Sequence, residues 1–491
     1  LMKAKNVSIH KLTHIKESAM TDLKFLSHAS ALVKSNGKSL LMDPWLIGSC
    51  YWRSWWNYPP VKPELKNNMN VDAIYITHIH WDHWHGPTLK KLFSKDTLII
   101  THDEPNKRSI KDLKSIGFNN IKLLKHGESM KIGDIKITPY QFGLFLNDSA
   151  LVIETPDFKL LNANDCKIAG ASLRYILNKH DKFDFALRSH SSANDRVCYS
   201  VKDSDLILDD EDHYSRSFAL FMDVVKPKYA IPFASNHCHL HKDAYEMNNI
   251  INDPFRLKDF IDKNGLIKDI ELKIMTSGDS WNSEKGFQIS ENGKDFYLNK
   301  DLHISNYKDS VEDILEKFYK LENRLKPNSR IIKMFQQQIL SIPKFMRKKF
   351  KNYFYKLVLF NDNEEWCYEV CPYSGKVEKC DTLLNNGSEV RIPIKIFIDS
   401  VSMNMFHHSS ISKRNKYIFE NENLLKKYES FQDLLEYVEL QVFPLNFMYF
   451  VNIVKSYSRR WREIIVYFRA FILTRKGMPI YDIEEEILKK T

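Results

Sequence analysis

The chain has 491 residues and a formal net charge of +10; that length predicts two or three domains, and the charge favours anionic partners such as nucleotides, phosphates or anionic lipid. A hydrophobic fraction of 43% without low-complexity tract or internal repeat excludes a disordered or fibrous chain, and no uncharged apolar run approaches the ~18 residues that span a bilayer. Seven cysteines in no regular framework, with no secretory apolar core in residues 1–18, predict a reduced, cytoplasmic setting.

Residues 21–45 read as strand, turn, strand, with Asn36-Gly37 as the hairpin signal. The second strand ends at Asp43-Pro44-Trp45. His28, in SHAS, reads as a neighbour of a site or as a buried, hydrogen-bonded histidine. The stretch YWRSWWNYPPV follows, and its prolines and lack of period predict a loop. Arg53, Trp55 and Trp56 there fit a wall that stacks on a sugar ring or nucleobase, with Arg53 for an anionic group; simple packing of the aromatics is the competing reading. Next comes VDAIYIT, an apolar, β-branched strand, which runs into THIHWDHWHG. His78, His80, Asp82, His83 and His85 therefore crowd onto a loop at a strand end. Imidazole nitrogen and carboxylate oxygen suit zinc, iron or manganese. The spacing lets one metal take His78 and His80 and a second take Asp82 and His83.

HIHWDH resembles the HxHxDH signature of the metallo-β-lactamase fold. The resemblance implies an αββα sandwich with a one- or two-metal site at the edge of its sheets. The alternation of short strands and helices over residues 87–165 agrees with such an α/β sandwich. Where the fold places a further histidine ligand, this chain has Tyr140-Gln141-Phe142, with Asn147 and Asp148 as nearby substitutes. The strand FKLLNANDC ends at Asp165, which the resemblance makes the bridging aspartate. The strand KPKYAIPF runs into Ser235-Asn236-His237-Cys238-His239-Leu240-His241, and the resemblance places the last histidine ligand here, His237 first and His239 next. His190, in a polar run after the strand that starts at Phe183, joins Asp82 and His85 as a candidate catalytic residue. The segments DPWL, LLNANDC and PFAS resemble the CMP-N-acetylneuraminate hydroxylase-like branch of the fold, over about residues 20–245. That branch implies iron, O2 and electrons from a Rieske module. This chain has no paired Cys-x-His and Cys-x-x-His arrangement for such a centre, so an external protein supplies the electrons or the chemistry differs.

Three spans are expected: a metallo-β-lactamase-like catalytic domain (1–300), a basic helical linker region (301–352) and a small α+β accessory domain (353–491). DSVEDILEKFYKLENRL reads as an amphipathic helix capped by Asp309-Ser310. The basic residues of 324–356 read as a solvated helix face. YFYKLVLF, EEWCYEVC and VRIPIKIFID read as strands, with helices around 421–442 and 445–474. Cys367, Cys371 and Cys380 lack the spacing and fourth ligand of a metal site. RRWREIIVYFRAFILTRKG is basic and apolar, but too short and charged to span a membrane. Neither nucleic acid nor membrane is expected as a partner. The substrate is expected to be a polar or anionic small molecule.

Two metal ions follow, iron favoured over zinc. Iron would give O2-dependent oxidation or hydroxylation, of a sugar-nucleotide-like substrate if the resemblance extends that far. Zinc would give hydrolysis of a phosphoester, amide or lactone. A degenerate site serving binding or assembly is the third reading.

Overall fold

The computed structural model describes residues 20–67, 69–143, 148–191, 195–202, 204, 210, 212–380 and 387–491. Asn147 lies outside them. The N-terminal part is a metallo-β-lactamase-like αββα sandwich. Its first sheet has eight strands, in the order Gly286–Gln288, Ser280–Asn282, Thr21–Ser27, Ser30–Ser35, Lys38–Met42, Ala73–Ile76, Leu98–His102, Ile121–Leu124. The second has seven: Glu271–Leu272, Tyr229–Phe233, Phe185–Ser189, Lys159–Asn164, Asp148–Glu154, Ile135–Phe142, Met130–Ile132. Phe25, Val33, Leu40 and Ile100 of one sheet meet Ile137, Leu151, Leu187 and Ile231 of the other in a common core. The helices Gly86–Leu92 and Arg108–Ser115 cover the first sheet through Leu89 and Leu113. The helices Gly170–His180, His213–Val225 and Pro254–Asn264 cover the second through Leu173, Phe218 and Leu257. Ala73–Ile76 and Phe185–Ser189 are buried at every position, as strands covered on both faces must be. Asn36 and Gly37, with φ of 48° and 73°, make the two-residue hairpin between the paired Ser35 and Lys38. Positive φ at both positions is what such a turn requires.

A third, six-stranded sheet runs Tyr199–Val201, Lys416–Phe419, Ser388–Pro393, Tyr355–Phe360, Glu365–Cys371, Lys376–Lys379. Helices Ser329–Ser341, Ile394–Met403 and Glu422–Glu439 pack on it through Phe335, Phe397 and Phe431. This α+β part does not stand alone over the expected span 353–491. Its sheet borrows Tyr199–Val201, its core continues into Trp45, Tyr51, Trp55 and Ile79, and its last helices return Val466 and Ile487 to the outer face of the second sheet. The 301–352 span is likewise built in: Leu315 packs with Trp56 and Tyr58, and Ile331 and Phe335 enter the third-sheet core, while Lys333, Lys348 and Lys349 face solvent.

Two element readings change. VRIPIKIFID is strand only to Pro393; Ile394–Met403 is helix. Ile394, Phe397 and Val401 recur at helical spacing and are buried, so packing overrides the β-branched preference. Asp309-Ser310 does not cap the amphipathic helix, because Lys300–Ser310 is itself helical and the chain bends at Val311 into Glu312–Glu322.

Candidate metal centre

The loop after Ala73–Ile76 is fixed from beneath by Asp43, at the end of the strand Lys38–Met42. The Thr77 backbone N–H and hydroxyl donate to its two oxygens at 2.8 and 2.7 Å, and Asn164 Nδ2 donates to Oδ2 at 2.6 Å. His83 Nδ1 meets the same Oδ2 at 2.9 Å. That contact commits Nδ1–H to Asp43 and turns Nε2 toward the site, where it lies 3.0 Å from Asp165 Oδ2 and 3.4 Å from Asp82 Oδ2.

On one side, His78 Nε2 and His80 Nδ1 converge at 2.9 Å. The other nitrogen of His78 is 3.3 Å from Asp148 Oδ1, so Asp148 orients a histidine from behind rather than standing beside His80 as a substitute ligand. On the other side, His28 Nε2 is 3.0 Å from Asp82 Oδ2, and the Tyr51 hydroxyl donates to Asp82 Oδ1 at 2.6 Å. Among the described residues, two groups place one ligand atom each within 4.8 Å of one another: His28, Asp82 and His83, and His78, His83 and Asp165. No cysteine belongs to either.

The electrostatics suit a cation. Burial alone would raise the Asp82 carboxyl; His83 and His28 outweigh it and hold it well below the usual carboxylate range. Burial likewise works against Asp165, and the His83 hydrogen bond brings it down. Burial also opposes charge on His83, yet Asp82 and Asp43 push it well above the ordinary imidazole. The carboxylates therefore favour positive charge at this point, which a proton on His83 or a bound metal ion would supply. Burial lowers His80, with His78 and His408 adding to the effect, and a neutral imidazole is the form that ligates.

The other sequence candidates divide. His237 and His239 lie on the strand His237–His239, paired with Trp55–Asn57. The His237 ring stacks on Trp55 at 3.7 Å and 4° and sits 5.6 Å from the His28 ring, beside the ligands but in neither group. His239 Nδ1 pairs with Ser54 Oγ at 3.1 Å behind Trp55, and burial pushes it down to about 3. His85 Nδ1 meets Thr88 Oγ1 at 2.7 Å and caps the helix Gly86–Leu92, so it serves the loop rather than the ligands. His190 is buried, its backbone N–H donating to Ser235 Oγ at 3.1 Å, and belongs to neither group. Trp56 is buried on the far side of its strand with Tyr307 and Leu315, so it cannot form a stacking wall with Trp55. Residues alternate in facing along a strand. Arg53 does line a cavity of about 730 Å³, but its aromatic partners are Tyr51, Trp52, Trp81 and Trp84. Tyr51, Trp52 and Arg53 all carry positive φ, 48°, 55° and 66°, a conformation bulky residues keep only when packing dictates it.

A wall from the C-terminal part has no counterpart in the motif. His407 and His408 lie on the helix Phe406–Ile411. The His408 ring meets His80 edge-on at 5.3 Å and Trp81 at 5.6 Å, and its Nδ1 is held by Glu439. The paired histidines in MFHHSS were the available signal, without any spacing that ties them to residue 80.

A family model, the beta-lactamase superfamily domain, matches residues 22–142. The cytidine monophosphate-N-acetylneuraminic acid hydroxylase of Xenopus laevis is 30% identical over 156 residues, 30% of this chain and 26% of that protein. Its counterpart from Cricetulus griseus is 26% identical over 268 residues, 49% of this chain and 45% of that protein. The chain thus matches less than half the length of these relatives. Among solved structures, the isothiocyanate hydrolase from Delia radicum gut bacteria is 19% identical with a TM-score of 0.39, covering 53% of this chain and 98% of its own. CmlA, a diiron β-hydroxylase from Streptomyces venezuelae, is 14% identical with a TM-score of 0.35, covering 53% of each.

Proposed function

We propose that this metallo-β-lactamase-fold metalloenzyme is an iron- and O2-dependent oxygenase. The observation that carries the reading is a buried cluster of histidines and carboxylates, His28, Asp82 and His83 together and His78, His83 and Asp165 together, the two groups sharing His83. Imidazole and carboxylate without thiolate is a donor set that non-haem iron oxygenases use and that zinc hydrolases share, and the hydroxylase relatives tip the reading to iron. His78 and Asp165, with His80 drawn in by its 2.9 Å approach to His78, would hold one metal ion, and His28, Asp82 and His83 the other. Bound iron would supply O2 activation; hydroxylation of a C–H bond then consumes O2, two protons and two electrons, and yields C–OH and water. The two electrons would come from a donor protein. The hydroxylases matched at 26–30% identity support the same reading.

The chain's own groups account for binding and orientation. The cavity of about 730 Å³, which none of the ligands lines and which Tyr51 links to Asp82, offers Trp52, Trp81 and Trp84 to an apolar or ring-shaped body and Arg53 to an anionic group. Tyr51 reaches from its wall to Asp82 and keeps its proton, because burial and then Asp82 raise the phenol well above its ordinary value. It therefore donates to that carboxylate rather than competing as a ligand. A polar substrate carrying both a ring and an anionic group, such as a sugar nucleotide, fits this lining.

The test is metal analysis of protein purified without added metal, with an absorption spectrum under anaerobic ferrous conditions and after O2. Two irons per chain and an O2-dependent spectral change are expected. Two zincs with no response to O2 would overturn the reading in favour of hydrolysis.

A further inference from the structure

Among the described residues, 22 large hydrophobic side chains are exposed, and 11 of them fall within Leu445–Ile472. The rest are scattered, as on any soluble surface. These 11 belong to the consecutive helices Phe447–Arg459 and Trp461–Arg475 and the turn before them. In the second helix the exposed positions are Trp461, Ile464, Ile465, Phe468, Phe471 and Ile472, a spacing of three and four that marks one helical face. The opposite face, with Glu463 and Val466, is the buried one. An outward face that ought to be polar is therefore the apolar one.

Charge identifies what covers it. Residues 445–477 hold seven lysines and arginines and one acid. That acid, Glu463, is buried and paired with Arg460 at 2.6 Å, so the exposed part of both helices is solely cationic. Lys455, Arg459, Arg475 and Lys476 are exposed around the apolar positions. Two copies docked through this face about a twofold axis would oppose like charges. Residues 1–19, with four lysines and one glutamate, also have the wrong sign to cover it. Aromatic and aliphatic side chains flanked by lysine and arginine are what an anionic bilayer interface takes up. No helix is long and apolar enough to cross a membrane, so the pair would lie along the surface.

We infer that Phe447–Arg459 and Trp461–Arg475 form an interfacial membrane-docking element for anionic lipid. The Gly143 N–H donates to Glu463 Oε1 at 2.8 Å and Arg460 donates to the Gly143 carbonyl. The element is thereby tied to the end of the strand Ile135–Phe142, whose Phe142 pairs with Asp148, the residue behind His78.

The full chain is tested by flotation with phosphatidylcholine vesicles, with and without phosphatidylglycerol. Binding at least about tenfold greater to the anionic vesicles and weakened by salt is expected. The F447S/F468S/F471S variant changes only exposed side chains, so an unchanged Tm is expected together with lost flotation. The K455E/R475E/K476E variant is expected to lose the preference for phosphatidylglycerol. Absence of flotation with either vesicle overturns the inference. In that case light scattering would assign the face to a second copy if the serine variant dissociated a dimer, or to cover by the chain itself if the protein were already a monomer.

Discussion

Asp43 holds the metal loop and the end of the strand Lys159–Asn164 together from beneath. It receives Thr77 twice and Asn164 once, and holds His83 Nδ1 at 2.9 Å. Asp43→Ala frees the His83 ring to rotate and to exchange tautomers. A 10–100-fold loss of metal affinity is the usual scale for removing such a partner, and competition with a chromophoric chelator measures it. Unchanged affinity would reduce Asp43 to a structural support for Thr77. The motif THIHWDHWHG announced most of the ligands because they share one loop, but not this support. Nor did it announce His28, which lies 54 positions before Asp82 and reaches it at 3.0 Å. Contacts between distant loops depend on how the sheets bring strand ends together, and a spacing rule within one loop carries no such information. His85, the catalytic candidate of the same stretch, lines the cavity. It has a ligand's residue type in a ligand's stretch, yet Thr88 claims its Nδ1 at 2.7 Å.

At the scale of elements, strands and helices with a periodic pattern or a turn signal were legible, among them the Asn36-Gly37 hairpin and the strand into His78. What escaped was set by packing, as where the β-branched run after Pro393 turns helical because Phe397 and Val401 face a core. The start of the helix Gly170–His180 shows how tightly such contacts can be drawn. Gly170 has φ +58°, and a Cβ there would lie 3.1 Å from Val466 Cγ2 and 3.2 Å from Ile487 Cγ2. Both neighbours come from the last helices of the chain. Gly170→Ala meets a strained backbone and a crowded contact together, so a loss of about 1–3 kcal/mol is expected. Urea denaturation measures it. A neutral result would mean that the two terminal helices shift freely against the second sheet.

At the scale of the molecule, the sequence divided into three spans because its motifs end near residue 245 and its composition changes after 300. The structure ties those spans together through side chains no local pattern pairs. Arg188, buried in the strand Phe185–Ser189, meets Glu484 of the last helix at 2.7 Å, and Ser217 donates to the same oxygen at 2.6 Å. Burial alone would raise the Glu484 carboxyl, but Lys167, His213 and Arg188 hold it well below the ordinary value. Its folded pKa is therefore depressed. The stability it contributes is present above the ordinary glutamate pKa of about 4.3 and is lost as pH falls below it toward the folded value. Glu484→Gln leaves the Arg188 guanidinium buried without its counter-charge, a change that costs roughly 3–5 kcal/mol. At neutral pH the variant is expected to unfold in one transition at a lower denaturant concentration. On acidification below about pH 4.3 its deficit relative to the parent chain is expected to shrink, because Glu484 of the unfolded parent then takes up a proton that the folded one still refuses, which erodes the parent's own advantage. Two separate transitions would mean that the last helix detaches while the sandwich stays folded. A single transition, followed by fluorescence and by metal release together, would show that the ligand loops and the C-terminal helices stand or fall as one cooperative unit.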